Sequence, residues 1–190
     1  MGINPRGLGR LMAALLVMGP AAVQAGEWSG QAGGEYRGFF ETPLFPEQHD
    51  SYLSAFAQPE YRHAWDNDKQ RIAFVAFGRV SQYDEARTHA DIRELNWQKS
   101  GDGYEWRVGI HKIFWGVTES QHLVDIINQT DLVENPDGED KLGQPMINLT
   151  LVREWGTLDF FVLTGFRERT FPGREGRLRM VLPVDTQQAV

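Results

Sequence analysis

The 190-residue chain contains no cysteine. Disulfides, thiolate nucleophiles and cysteine metal sites are thereby excluded, so the fold is held without covalent cross-links. Basic side chains are the minority, 19 against 26 acidic ones, for a net charge of −7. A nucleic-acid partner needs a basic footprint for its phosphates, and this balance offers none. Downstream of Ala25 no apolar run approaches the ~20 residues of a membrane helix. If this chain enters a bilayer, it does so as strands. Neither a Gly-x-Ser-x-Gly elbow nor a phosphate-cradling glycine loop is present. The histidines, His49, His63, His89, His111 and His122, are scattered along the chain rather than grouped as a catalytic set. Glu119-Ser-Gln-His122 is half of a metal site without a second His at ligand spacing. The acids between Asp131 and Asp140 do not follow the spacing of a calcium loop. No catalytic residue, metal or cofactor is expected, and the chain is read as a protein without enzymatic activity.

What is there begins at the N-terminus. Arg6 and Arg10 form a positive region ahead of the apolar run Leu11 to Met18, which Gly19-Pro20 breaks. Val23 and Ala25 then supply the small residues of a signal-peptidase site, so residues 1–25 read as a cleaved secretory signal peptide. Losing Arg6 and Arg10 takes the net charge from −7 to −9.

Residues 26–190 alternate. Trp28, Ala32, Tyr36 and Phe40 share one parity, with Glu35 and Arg37 on the other. Tyr104, Trp106, Val108 and Ile110 oppose Glu105, Arg107 and His111; Ile147, Leu149 and Leu151 oppose Asn148 and Thr150. Period two over such stretches means strands with chemically different faces. Two places depart from it. Phe74, Val75 and Phe77 occupy both parities, and His89 to Lys99 switches parity between Ile92 and Leu95, as a β-bulge would cause. The connections also alternate. Trp65 to Lys69, Lys99 to Gly103 and Trp155 to Thr157 are tight hairpin turns, whereas Glu41 to Asp50, Tyr83 to Thr88 and Trp115 to Gln144 are longer. Membrane barrels have short periplasmic turns and long outer loops, with aromatic girdles of the kind Trp65, Tyr104 and Trp155 would form. The fold expected is therefore an all-β, antiparallel transmembrane β-barrel of outer-membrane type. It is partial, with about eight strands, the last from Arg177 to Pro183, and a long third outer loop.

That loop, residues 115–144, is the segment most suited to function. Its acids include Glu119, Asp125, Asp131 and Glu134, and Glu119 and His122 fall on one face of a short helix from Thr118 to Asp125. The polar parity of the strands is rich in arginine, with Arg37, Arg62, Arg71, Arg79, Arg107 and Arg167. Two arrangements fit. In one the loop folds into the lumen and sets Glu119, His122, Asp125, Asp131 and Glu134 against Arg62, Arg79, Arg107 and Arg167, making a charged constriction. In the other the arginines solvate a water-filled wall and the loop lies outside.

Gly109-Ile-His-Lys-Ile-Phe-Trp-Gly116, followed by Glu119, Asp125-Ile-Ile-Asn128 and Asp131, resembles a pattern of large proteobacterial outer-membrane porin-like proteins. These are the DUF1302 type and, more distantly, alginate-export-type channels. The chain departs from it at Ile110, Glu119 and Gln129. The resemblance implies a larger single-chain barrel, of which residues 26–190 are an N-terminal portion. It also implies an outer-membrane channel for passive or substrate-preferring diffusion of small solutes. Outer-membrane lipid and the insertion machinery are then the expected partners, besides the solutes. A soluble periplasmic β-domain binding a ligand or envelope partner is the alternative. A barrel enzyme has the least support.

Overall fold

The computed structural model describes residues 26–113 and 126–182. The expected signal peptide, together with Glu119, His122 and Asp125, lies outside these residues. Strands β1 (Glu27–Gly38), β2 (Ser51–Trp65), β3 (Gln70–Ser81), β4 (His89–Gly101), β5 (Tyr104–His111), β6 (Gln144–Arg153) and β7 (Gly156–Leu163) form one antiparallel sheet. Their spatial order is their chain order, and β1 and β7 are the two edges. The described residues are all-β, without helix. The sheet is open rather than closed into a barrel, and one expectation is corrected: among the described residues it has seven strands rather than about eight. Residues 177–182 form turns and bends packed on other loops.

In a meander every second connection lies at the same end. The short links 66–69, 102–103 and 154–155 define one end of the sheet, and the long links 39–50, 82–88 and 112–143 the other. The first short turn holds Asp66, Asn67 and Asp68 at φ 56°, 53° and 63°. Asn and Asp adopt this left-handed conformation at low cost because their short side chains bond locally. In β4 the parity switch has its cause: Ile92 pairs with Ala76 and Glu94 with Val75, leaving Arg93 as the extra residue of a bulge. Gly109, at φ +126°, brings β5 so close to β4 that a Cβ there would sit 2.1 Å from the carbonyl oxygen of Leu95.

Cross-strand pairs share a face, so the registers assign every strand residue to one side. One face carries Trp28, Tyr36, Leu53, Phe74, Ile92, Trp106, Val108, Leu149, Phe160 and Val162. Its strand positions include two charged residues, Lys99 and Arg153, both beside short turns. This apolar face is open: Trp28 is 63 %, Phe160 53 % and Val162 60 % exposed. The opposite face is polar and largely covered. It presents Glu35, Ser54, Arg79, Asp91, Asn96, His111, Gln144 and Asn148. Val75 and Phe77, which broke the alternation, lie on this covered side, where Phe77 stacks on Phe56 and underlies the guanidinium groups of Arg79 and Arg93. We call the two faces outer and inner.

Candidate functional site

The site is built where the long connections fold across the inner face. Residues 126–143 start from Asn128, which is buried and ties both ends of the loop together. Its Nδ2 donates to the carbonyls of His111 (3.1 Å) and Leu142 (2.9 Å), and its Oδ1 accepts from the amide of Ile113 at 2.8 Å. A small hairpin follows. Asp131 N–H donates to Asp140 O at 2.7 Å and Leu142 N–H to Gln129 O at 2.8 Å. This hairpin aims Asp131 and Glu134 at the wall.

Glu134 meets the centre of an arginine cluster. Arg79 donates to it from Nε at 2.9 and 3.1 Å and from Nη2 at 2.8 Å, with both side chains 7 % exposed. His89 Nε2 lies 3.5 Å away and Arg87 Nη2 4.0 Å away. Arg79 also bonds Ser54 Oγ at 2.9 Å and approaches Glu35 at 3.4 Å. Glu35 is shared: Arg37 pairs with it and Arg87 Nη1 reaches it at 3.3 Å. From β1, Arg37 also donates to the carbonyl of Glu134 at 3.4 Å, so the loop is gripped by backbone as well as side chain.

Asp131 makes the second contact. Arg93, the bulge residue, donates to it from Nη1 at 2.7 Å, and the hydroxyl of Thr170 donates to its other oxygen at 2.5 Å. Burial by itself pushes the Asp131 carboxyl up. The Thr170 hydroxyl and the charge and hydrogen bond of Arg93 outweigh burial and hold it below the ordinary carboxylate value. Asp84, in the 82–88 link, shows the reverse balance. Burial raises it, and the amide and charge of Arg87 only partly compensate.

The segment after β7 closes this cap. Gln144, fully buried, exchanges two hydrogen bonds with the backbone of Arg167, at 2.7 and 2.8 Å. The Arg167 guanidinium bonds Gly143 O at 2.9 Å, Ile92 O at 3.1 Å and the carboxylate of Asp91. Tyr52 donates to Glu175 O and Gln48 to Gly176 O.

Of the nine candidates, Arg79 and Glu134 meet each other, Asp131 meets Arg93, and Arg167 meets Asp91. Arg167 lies beyond β7 rather than on a strand. Arg62 pairs with Glu60 and Arg107 with Glu105, both within their own strands, and among the described residues no loop acid reaches either. Glu119, His122 and Asp125 are not described. Sequence reasoning missed Glu35, Arg87, Asp91 and Arg93 as members. Arg93 carried one signal, the parity switch that marks the bulge. Among the described residues no group of His, Asp and Glu is placed to hold a metal ion. What the arrangement does is electrostatic: buried ion pairs latch the loop directly onto the inner face.

No family model, curated protein or solved structure matches the chain. Function rests on the geometry.

Proposed function

We propose that residues 26–190 form part of the wall of an outer-membrane β-barrel that conducts small solutes, with residues 126–143 narrowing the lumen at the Arg79–Glu134 and Arg93–Asp131 contacts. One observation carries this reading: the sheet is inside-out. Its charged face is covered and its apolar face exposed, the reverse of an antiparallel sheet in water, whose apolar face packs on a core. A lipid-facing wall needs an apolar band outside, polar residues inside, and aromatic girdles near the interfaces. Trp65, Trp97, Tyr104 and Trp106 lie on the outer face toward the short turns, and Trp155 lies within one. Lys99 and Arg153 stand beside those turns, where lipid headgroups tolerate charge. The reading places the protein in the outer membrane after export through the 1–25 signal peptide, and requires partners for the edges β1 and β7. The open sheet favours the rival, a soluble periplasmic β-domain. That rival, however, leaves the outer face in water with nothing among the described residues to cover it.

Fractionation separates the two. The channel reading expects the full chain in detergent extracts of outer membranes, heat-modifiable migration on gels, and discrete conductance steps in planar bilayers. Recovery in the aqueous periplasmic fraction, without a heat-modifiable band, would overturn it.

A further inference from the structure

A second feature lies at the edge of the same cap. A small cleft open to solvent is lined by Arg37, Phe39, Tyr52, Arg87, Val133 and Arg177, with Asp84 beside Arg87. It draws on five separate elements: β1 with the residues after it, β2, the 82–88 link, the 126–143 loop, and the chain beyond β7. The charges around it balance, since Arg37, Arg79, Arg87 and Arg177 face Glu35, Glu134, Asp84 and Glu175. The hydrogen bonds do not. Nε and Nη2 of Arg87 and Nη1 of Arg177 are buried without an acceptor. Arg87 is 6 % exposed at its side chain, so its Nε lacks a hydrogen-bond partner among the described residues and is shut off from bulk water, while its Nη2 lies 4.0 Å from the Glu134 carboxylate, beyond hydrogen-bond reach. Buried donors left unpaired are costly, and charged ones more so.

We infer that this cleft binds a carboxylate-bearing solute with an apolar body, its carboxylate accepting from Arg87 and Arg177. The inference deepens the channel reading and depends on it for its physiological meaning. Planar guanidinium groups match a carboxylate through paired hydrogen bonds. The enclosed part of the cleft is small, so the carboxylate sits inside and the body lies in the mouth. Phe39, Leu132, Val133, Pro136 and Leu178 line that mouth. The Phe39 ring already carries the Arg177 guanidinium at 4.8 Å, joining the apolar and the cationic halves of the site. A phosphate dianion suits it less. Its second charge would lie beside Asp84, Glu35 and Glu175, and its three acceptor oxygens would meet apolar walls.

Isothermal titration of the full chain in detergent tests this with benzoate, benzyl alcohol and inorganic phosphate as probes. Benzoate is expected to bind saturably, with benzyl alcohol and phosphate each about tenfold weaker or worse. R87Q and R177Q should each weaken benzoate about tenfold, while R177K, which keeps the charge without the paired donors, should fall between R177Q and the parent chain. Should R87Q fail to fold, R177Q carries the test, because the other polar partner of Arg177 is the exposed carbonyl of Glu41. Benzyl alcohol binding as tightly as benzoate, or R177Q binding benzoate like the parent chain, would overturn the site. Phosphate binding more tightly than benzoate would overturn the carboxylate class. Benzoate binding without bilayer conductance sinks the channel and leaves the site, whereas conductance without benzoate binding does the opposite.

Discussion

Glu134→Gln should unlatch the loop without unfolding the sheet. Glutamine keeps the volume of glutamate but removes the charge that three Arg79 contacts, between 2.8 and 3.1 Å, neutralise. Deleting one member of a buried ion pair costs about 3–5 kcal/mol, because the other charge stays buried without compensation. Arg79 keeps Ser54 at 2.9 Å and Glu35 at 3.4 Å. Those residual partners reduce the expected loss to about 2–4 kcal/mol. Every opening that lifts residue 134 from the wall is favoured by that amount, which is about 30- to 900-fold in the open population. Hydrogen exchange reads it directly. The amides of Asp131 and Leu142, bonded across the loop hairpin, should exchange faster by that factor, while those of the β5–β6 ladder stay unchanged. A second variant checks the cause. R79M with E134L removes both charges and should protect the loop better than E134Q alone, since apolar replacement of a whole buried pair is close to neutral. Glu35 then remains paired with Arg37 and Arg87. Acceleration below about threefold in E134Q, or a double variant no better than the single one, would refute the reasoning.

Gly109→Ala is expected to destabilise the β4–β5 pair by at least ~2 kcal/mol, since the new methyl meets the Leu95 carbonyl at 2.1 Å with φ at +126°. The heat-modifiable folded band should fall accordingly, and an undiminished band would contradict the close approach. Asp131 has a folded-state value below the ordinary 3.8, so its contacts with Arg93 and Thr170 contribute stability above that pH. That stability is lost as the pH falls through the folded value. Pepsin cleavage within 126–143 should therefore rise with acidification below pH 3.8, and Asp131→Asn should cleave readily with a flatter dependence. Phe160→Arg distinguishes lipid from water at the outer face. It costs about 2–4 kcal/mol near a bilayer midplane but within about 0.5 kcal/mol at an exposed aqueous position, so outer-membrane assembly should drop sharply.

Period-two alternation marked β1, β5 and β6 cleanly, because their faces lie in different surroundings and the side-chain period is fixed at two, whereas β3 departed from it where Val75 and Phe77 are buried on the inner face. The bulge was legible for the same reason: one inserted residue, Arg93, reverses the parity of everything beyond it. The eighth strand shows where this logic stops. Leu178, Met180 and Leu182 alternate with Arg177, Arg179 and Val181, yet a strand also needs a ladder partner. Here the neighbouring backbone bonds side chains from other links instead, as Gln48 does with Gly176. Sequence also supplied both halves of the Arg79–Glu134 contact but not their pairing. Which acid reaches which arginine depends on the path of the 126–143 hairpin, and that path is set by Asn128 and the Thr130–Lys141 bridge. Arg87 and Asp91 had no signal, since a charged residue in a link or on a polar face is ordinarily solvated.

The cap and the wall draw stability from different sources. Among the described residues six apolar side chains are buried against fifteen polar or charged ones, so the covered side of this sheet is not a hydrophobic core. Apolar burial contributes roughly 25 cal/mol per Å², and here most of the apolar area lies on the outer face. In water that face is a contiguous exposed apolar patch of the kind that marks an interaction surface. In hydrocarbon it is the main favourable term, and no compensation offsets returning it to water. The inner contacts behave differently. When the loop lifts, Arg79, Glu134, Arg93 and Asp131 regain hydration, which bounds the cost of opening to a few kcal/mol. Motion therefore belongs to the cap, where broken contacts are re-solvated, and rigidity to the wall. On the channel reading, a constriction made of ion pairs opens and closes on a sheet that does not move.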